Sequence, residues 1–205
     1  MYTCAYCTAE ACGKASPQKL PGNCPLRQQE NVREVLAVYG EAENQEFYVK
    51  ASEIEAKGYG EWVRIREITE LCRSMGYQKV GLAFCRGLRK EARVAADILR
   101  SHGLEVVSVI CKAGGIDKTE AGLKEEMKLC PNGFEPMCNP ILQAKLLNEQ
   151  KTEFNIALGL CVGHDSLFYK YSDALVTTLV AKDRVLAHNP VGALYQADGY
   201  CKKRL

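Results

Sequence analysis

Four short runs of mostly apolar, β-branched-rich residues punctuate the later part of the chain: Lys79 to Phe84 (KVGLAF), Leu104 to Ile110 (LEVVSVI), Phe154 to Leu160 (FNIALGL) and Leu175 to Ala181 (LVTTLVA). Near-continuous apolar runs suit strands buried on both faces, which belong to parallel sheets joined by helical crossovers. The intervening sequence supplies such helices. Leu88 to Arg100 carries Leu88, Ala92, Ala95, Ile98 and Leu99 on one stripe and stops near Gly103. Asn139-Pro140 and Asn189-Pro190 each read as an N-cap followed by Pro at the first helical position, opening helices at Pro140 to Glu149 and Pro190 to Gln196. The expected fold is therefore α/β, with an open, mostly parallel, Rossmann-like sheet and flanking helices over 77–205.

Upstream the period is helical. Val32, Val35, Leu36 and Tyr39 recur before Gly40, Gln45 to Lys57 ends at Gly58, and Glu61 to Met75 places Trp62, Ile65, Ile68, Leu71, Cys72 and Met75 along one stripe before Gly76. Residues 25–76 are read as a helical segment. Residues 1–24 are short of large aliphatics and carry Pro17, Pro21 and Gly22 as turn residues, which describes a small knuckle with little core of its own.

Eleven of the 205 residues are Cys, an odd number and about 5% of the chain. That is below the roughly 8–10% of a short disulfide scaffold, and a chain of this length can own a core without staples. The first residues have no basic and apolar leader pattern, so a reducing cytoplasm is expected, where clustered thiols more often hold metals or do redox chemistry. No apolar run reaches the ~18–20 residues that span a bilayer. A formal net charge of +2 gives no electrostatic footprint for nucleic acid or an anionic membrane.

The thiols fall into two sets. Cys4, Cys7, Cys12 and Cys24 have the spacing C-x2-C-x4-C-x11-C, followed by Pro25. A close pair supplies two ligands from one turn and the remote Cys closes a four-thiolate site, suited to zinc or a four-iron cluster. Cys85, Cys111 and Cys161 each follow a predicted strand, and Cys138 directly precedes the helix opened by Asn139-Pro140. Ligands of an open parallel sheet bind beyond the carboxyl ends of the strands, so these four are expected to meet in one crevice as cluster ligands or as activated thiols. Cys72 is expected in the core, Cys130 near the site, and Cys201 as a tail thiol.

His164, three residues after Cys161, is a candidate ligand or acid, with Asp165 a possible N-cap. Lys112 follows Cys111 and Arg86 follows Cys85, where cations would favour thiolates; Lys112 and His164 are the candidate proton donors. His188 is placed to reach the crevice, and His102 closes a helix end. The Gly114-Gly115 loop lacks the residue order of a phosphate loop, and no GxGxxG follows the first strand.

The N-terminal Cys set together with GLAFCRGLRKEA from Gly81, ICKAGGIDK from Ile110, MCNP from Met137 and GLCVGHDSLFYKYSDALVTTLVAKDRVLAHNP from Gly159, with its CVGHDS segment, resembles the family called domain of unknown function 1847. That resemblance spans essentially the whole chain. It implies a cysteine-rich, metal-binding protein of anaerobes with no established reaction.

The resulting expectation is a redox metalloprotein. Cys4, Cys7, Cys12 and Cys24 would hold one centre, while Cys85, Cys111, Cys138 and Cys161 would hold a second, a 4Fe-4S cluster. It would serve a redox partner protein or a small-molecule substrate. Two rivals stay open: a structural zinc knuckle on an α/β binding module, and sulfur transfer with Cys161 or Cys111 as nucleophile.

Overall fold

The computed structural model describes residues 1–14 and 19–205; Pro17, expected as a turn residue, lies outside the described residues. The chain divides into two compact units, Met1–Lys57 and Gly58–Leu205. The division places the third upstream helix with the α/β unit.

In the first unit three short 3-10 turns, Cys4–Tyr6, Ala11–Gly13 and Pro25–Arg27, precede helices α1 (Gln29–Tyr39) and α2 (Ala42–Gly58). Polar contacts hold the turns. Asn23 Nδ2 donates to Thr3 Oγ1 at 2.7 Å, and the Arg27 guanidinium donates to the carbonyls of Leu20 and Pro21 at 2.8 and 2.9 Å. No large aliphatic side chain of this turn region is buried among the described residues, as its composition implies.

The second unit runs α3 (Arg64–Ser74), β1 (Lys79–Phe84), α4 (Arg89–Ser101), β2 (Glu105–Ile110), α5 (Pro140–Glu149), β3 (Phe154–Leu158), α6 (His164–Tyr171), β4 (Val176–Val180) and α7 (Val191–Tyr195). The strands form one parallel sheet in the order β2-β1-β3-β4. β3 is buried along its whole length and β1 at its four inner positions, which accounts for sequences that are apolar but for Lys79 at the start of β1 and Asn155 within β3. Ala83 and Ala157 pack with Ala144, Leu147 and Phe168 of α5 and α6 in one core cluster. A Cβ on Gly81 would overlap Asn155 Oδ1 and lie 2.8 Å from Leu147 Cδ1, so a glycine there lets α5 close on the sheet. Asn155 is fully buried yet satisfied: its Oδ1 accepts from Thr152 Oγ1 at 2.8 Å and its Nδ2 donates to Ser172 Oγ at 2.6 Å.

Chain order reverses between β1 and β3, because β2 lies on one side of β1 and β3 on the other. The connections leaving β1 and β3 diverge there and open a crevice at the carboxyl ends of the strands.

The sequence is corrected in four details. β3 ends at Leu158 rather than Leu160, because Gly159 at φ +65° turns the chain, so Cys161 lies beyond a turn instead of directly after the strand. Gly163 occupies the N-cap of α6 and Asp165 lies inside its first turn, where its carboxylate accepts from the Ser166 amide. Asn139 caps α5 as expected, accepting from the Leu142 amide, but Pro190 itself occupies the N-cap of α7, which has no side-chain cap. Cys201, expected as a tail thiol, is buried.

Candidate metal centre

Backbone hydrogen bonds continue past the strand ends and fix the cysteines. The Cys85 amide donates to the Leu158 carbonyl at 3.0 Å, the Cys111 amide to the Phe84 carbonyl at 2.8 Å, and the Asn139 amide to the Cys111 carbonyl at 2.7 Å. The Cys161 carbonyl accepts the amides of His164 and Asp165 at 2.9 and 3.1 Å, so the turn after β3 is tied to the start of α6. The outcome is a single cavity lined by Cys85, Cys111, Cys138, Cys161 and His164, together with Gln143 and Leu160.

Cys138 reaches this cavity at the end of the long β2–α5 connection, which charged residues lock internally. Lys128 Nζ, on a side chain only 4% exposed, lies 3.0 Å from both Asp117 and Glu125 carboxylates, and Lys118 pairs with Glu135. Asp117 also accepts the amides of Thr119 and Glu135, which holds its carboxyl well below the usual range. The Met137 amide then donates to the Ile116 carbonyl at 2.8 Å, one residue before Cys138. Long connections of this kind in compact domains are usually functional.

Each thiol has a hydrogen-bonding partner. Cys111 bonds to both Cys85 and Cys138 and pulls both of their thiols below the usual range. Lys182 beside Cys85, and Lys112 with His164 beside Cys138, add to this, against the opposing effect of burial. Cys111 is pushed up by Cys138, by Cys85 and by burial, in that order. Its sulfur accepts the Arg86 amide at 3.3 Å, and Arg184 Nη2 donates to Cys161 Sγ at 3.0 Å. The four sulfurs thus share one patch of chain with the cations of Lys112, Lys182 and Arg184. At Cys85 and Cys138 this environment favours thiolate, the form that binds metal.

Ligand atoms of Cys138, Cys161 and His164 lie within 4.8 Å of one another. Around a tetrahedral ion with metal–sulfur bonds of about 2.3 Å, donors stand roughly 3.8 Å apart, so this group fits a metal ion. His164 Nδ1 supports the same assignment. It is buried with no hydrogen-bond partner among the described residues, and an imidazole beside two thiols that carries an orphaned nitrogen has the chemistry of a ligand. The protein is therefore cysteine-rich with a possible Cys/His metal site.

The structure places the remaining candidates less compactly. Cys4, Cys7 and Cys24 line one cavity with Thr3, Asn23 and Pro25, while Cys12 lies on the Ala11–Gly13 turn and is not among that cavity's lining residues. Lys112 Nζ donates to the Pro136 carbonyl. Cys130 is exposed and does not line the crevice cavity, and Cys72 is fully buried under α3 packing as expected. His102 bonds back to the Ile98 carbonyl at 2.9 Å at the end of α4. His188 does not line the cavity; its Nδ1 accepts the Asp183 amide. Sequence reasoning missed Lys182, Arg184 and Gln143. Their common signal is position: two follow β4 at the crevice end of the sheet, and Gln143 lies in the first turn of α5 behind Cys138.

Among the described residues, no helix is long and apolar enough to cross a membrane. An uncharacterized protein of Methanocaldococcus jannaschii, MJ0455, is similar to this chain, with 47% identity over 173 residues that cover 84% of the chain and 87% of that protein. A family model described as protein of unknown function (DUF1847) matches residues 24–179. With most of its length matched, and with its strand-end cysteines inside the matched range, the chain belongs to the DUF1847 family.

Proposed function

We propose that the protein is a redox metalloprotein whose working centre lies in the sheet crevice, held by Cys85, Cys111, Cys138, Cys161 and His164. The observation that carries this reading is the convergence of four thiols and one imidazole on one cavity. Four of these donors are thiols, the ligand set of an iron–sulfur centre such as a 4Fe-4S cluster, with His164 as an alternative to one of them. Such a centre supplies one-electron chemistry when bound. The chain's own residues hold it, screen its charge with Lys112, Lys182 and Arg184, and seal it on the inner side with Leu160 and Gln143. It would exchange electrons with a redox partner protein or reduce a small-molecule substrate in a reducing compartment. In the latter case Lys112, beside Cys138, supplies protons, and His164 acts as a ligand, with a ring nitrogen close to the Cys138 and Cys161 sulfurs. The N-terminal set Cys4, Cys7, Cys12 and Cys24 would hold a second centre, zinc or a cluster.

A second reading, a single thiolate-bound ion such as zinc, is favoured by the 4.8 Å spread of the Cys138, Cys161 and His164 donors. Metal and acid-labile sulfide analysis of anaerobically purified protein separates the two. Iron with sulfide, and visible absorption that bleaches with dithionite and disappears in Cys85→Ser, supports the cluster. Zinc without sulfide supports the single ion. Protein that holds neither metal at the crevice removes both readings.

A further inference from the structure

The chain that leaves β4 is built to bring two cations to the thiols. Lys182 stands beside Cys85, its Nζ 3.9 Å from where a Cβ on Gly87 would lie and 3.7 Å from where one on Gly159 would lie. Two residues on, Arg184 Nη2 donates to Cys161 Sγ at 3.0 Å. Between them Asp183 ties the loop. Its Oδ1 accepts the amides of Val185 and Leu186 at 2.9 and 2.8 Å, its amide donates to His188 Nδ1 at 3.1 Å, and its carbonyl accepts the His188 amide at 2.8 Å. Ala187 and His188 are both held in the left-handed region, at φ +50° and +64°, an arrangement that persists only where surrounding bonds over-determine it. The loop lies beyond residues 24–179, which the family model matches.

We infer that this loop is the outer shell of the crevice centre, with Arg184 and Lys182 as positioning residues for the sulfurs of Cys161 and Cys85. The inference rests on the reading of the crevice as a metal centre. A guanidinium is charged at every accessible pH, so its hydrogen bond to a ligand sulfur fixes that sulfur's direction and draws electron density from it. Sulfur so bonded donates less charge to its metal, which stabilises the reduced form of a redox-active centre. Losing Arg184 therefore weakens metal retention and moves the reduction potential to more negative values. Lys182 acts in the same sense through Cys85.

The test uses the full chain carrying Cys4→Ser and Cys7→Ser, loaded anaerobically with cobalt(II). Two properties are read: the thiolate-to-cobalt charge-transfer band and the affinity in competition with a chelator. Arg184→Gln is expected to move the band to lower energy and weaken cobalt binding by roughly ten- to a hundred-fold, the usual consequence of losing an outer-shell partner. Arg184→Lys restores part of both, Lys182→Gln shifts the same band, and Val185→Ser, an exposed change in the same loop, leaves both as in the parent. A folded Arg184→Gln protein with the parent's band and affinity overturns the inference while leaving the metal centre standing. A parent that takes up no cobalt overturns the metal reading and this inference together.

Discussion

Replacing Gly159 with Ala should destabilise the Gly58–Leu205 unit by about 3 kcal/mol, and the structure divides that figure into two parts. Gly159 has φ +65°, where an L-residue loses about 1 kcal/mol relative to glycine. The added methyl would also overlap Leu88 Cδ1 and lie 3.3 Å from Leu88 Cγ. Leu88 is only 6% exposed and cannot swing into solvent, and overpacking of this kind costs about 2 kcal/mol. At roughly 2–4 °C per kcal/mol for a domain of this size, the thermal midpoint should fall by about 6–12 °C in calorimetry or circular dichroism. Gly76→Ala is the internal control. Gly76 has φ +73° with open space where the Cβ would go, so only the backbone part applies and the shift should be roughly 2–4 °C. Because Gly159 joins β3 to the Cys161 turn, Gly159→Ala should also reduce metal loading, and Gly76→Ala should not. Equal thermal shifts in the two variants would refute the close contact between Gly159 and Leu88 at the crevice floor.

Gln143→Leu should lose about 1–2 kcal/mol in urea denaturation, because the fully buried amide donates to the Val109 carbonyl at 2.7 Å and the substitution strands that acceptor; unchanged stability would show the bond to be dispensable. In metal-free protein at neutral pH, iodoacetamide with peptide mass mapping should label Cys85 and Cys138 well before Cys72, which burial pushes up to about 12; early labelling of Cys72 would contradict the packing of α3. Asp117 is depressed by the amides of Thr119 and Glu135, so its contribution is fully present above the unfolded value of about 3.9 and is lost as pH falls from there towards the folded value. Protection of those two amides, relative to their intrinsic exchange rates, should therefore fall progressively as pH drops below about 4, and Asp117→Asn should lower it already at neutral pH; protection insensitive to both would contradict the clip.

Strand positions were legible because a strand buried on both faces is mostly apolar, as β1 and β3 are; the exception inside β3, Asn155, is buried only because Thr152 and Ser172 satisfy its amide. Their ends were less so. Gly159 stops β3 through backbone geometry, which a run of apolar residues such as IALGL does not reveal. The meeting of Cys85, Cys111, Cys138 and Cys161 followed from topology alone, since connections at the carboxyl ends of parallel strands share one crevice. Arg184 and Lys182 obey the same rule, yet AKDRVLAH reads locally as a polar loop, and nothing in it separates Arg184 from any solvated arginine. The clip of Asp117, Lys118, Lys128 and Glu135 was hidden for a related reason. Its partners are separated along the chain, and scattered charges show no period until the loop closes. At the N-terminus, spacing suggested four equivalent thiols, whereas Cys4, Cys7 and Cys24 line a cavity and Cys12 does not.

X-ray absorption at the metal edge tests the central claim most directly, on anaerobically loaded protein whose N-terminal set is disabled by Cys4→Ser and Cys7→Ser. The account predicts a first shell dominated by sulfur at about 2.3 Å with an imidazole nitrogen at roughly 2.0–2.1 Å, the sulfur count falling in Cys161→Ser and the nitrogen disappearing in His164→Ala. A first shell of oxygen and nitrogen alone, or full metal content retained after Cys138, Cys161 and His164 are all replaced, would contradict it.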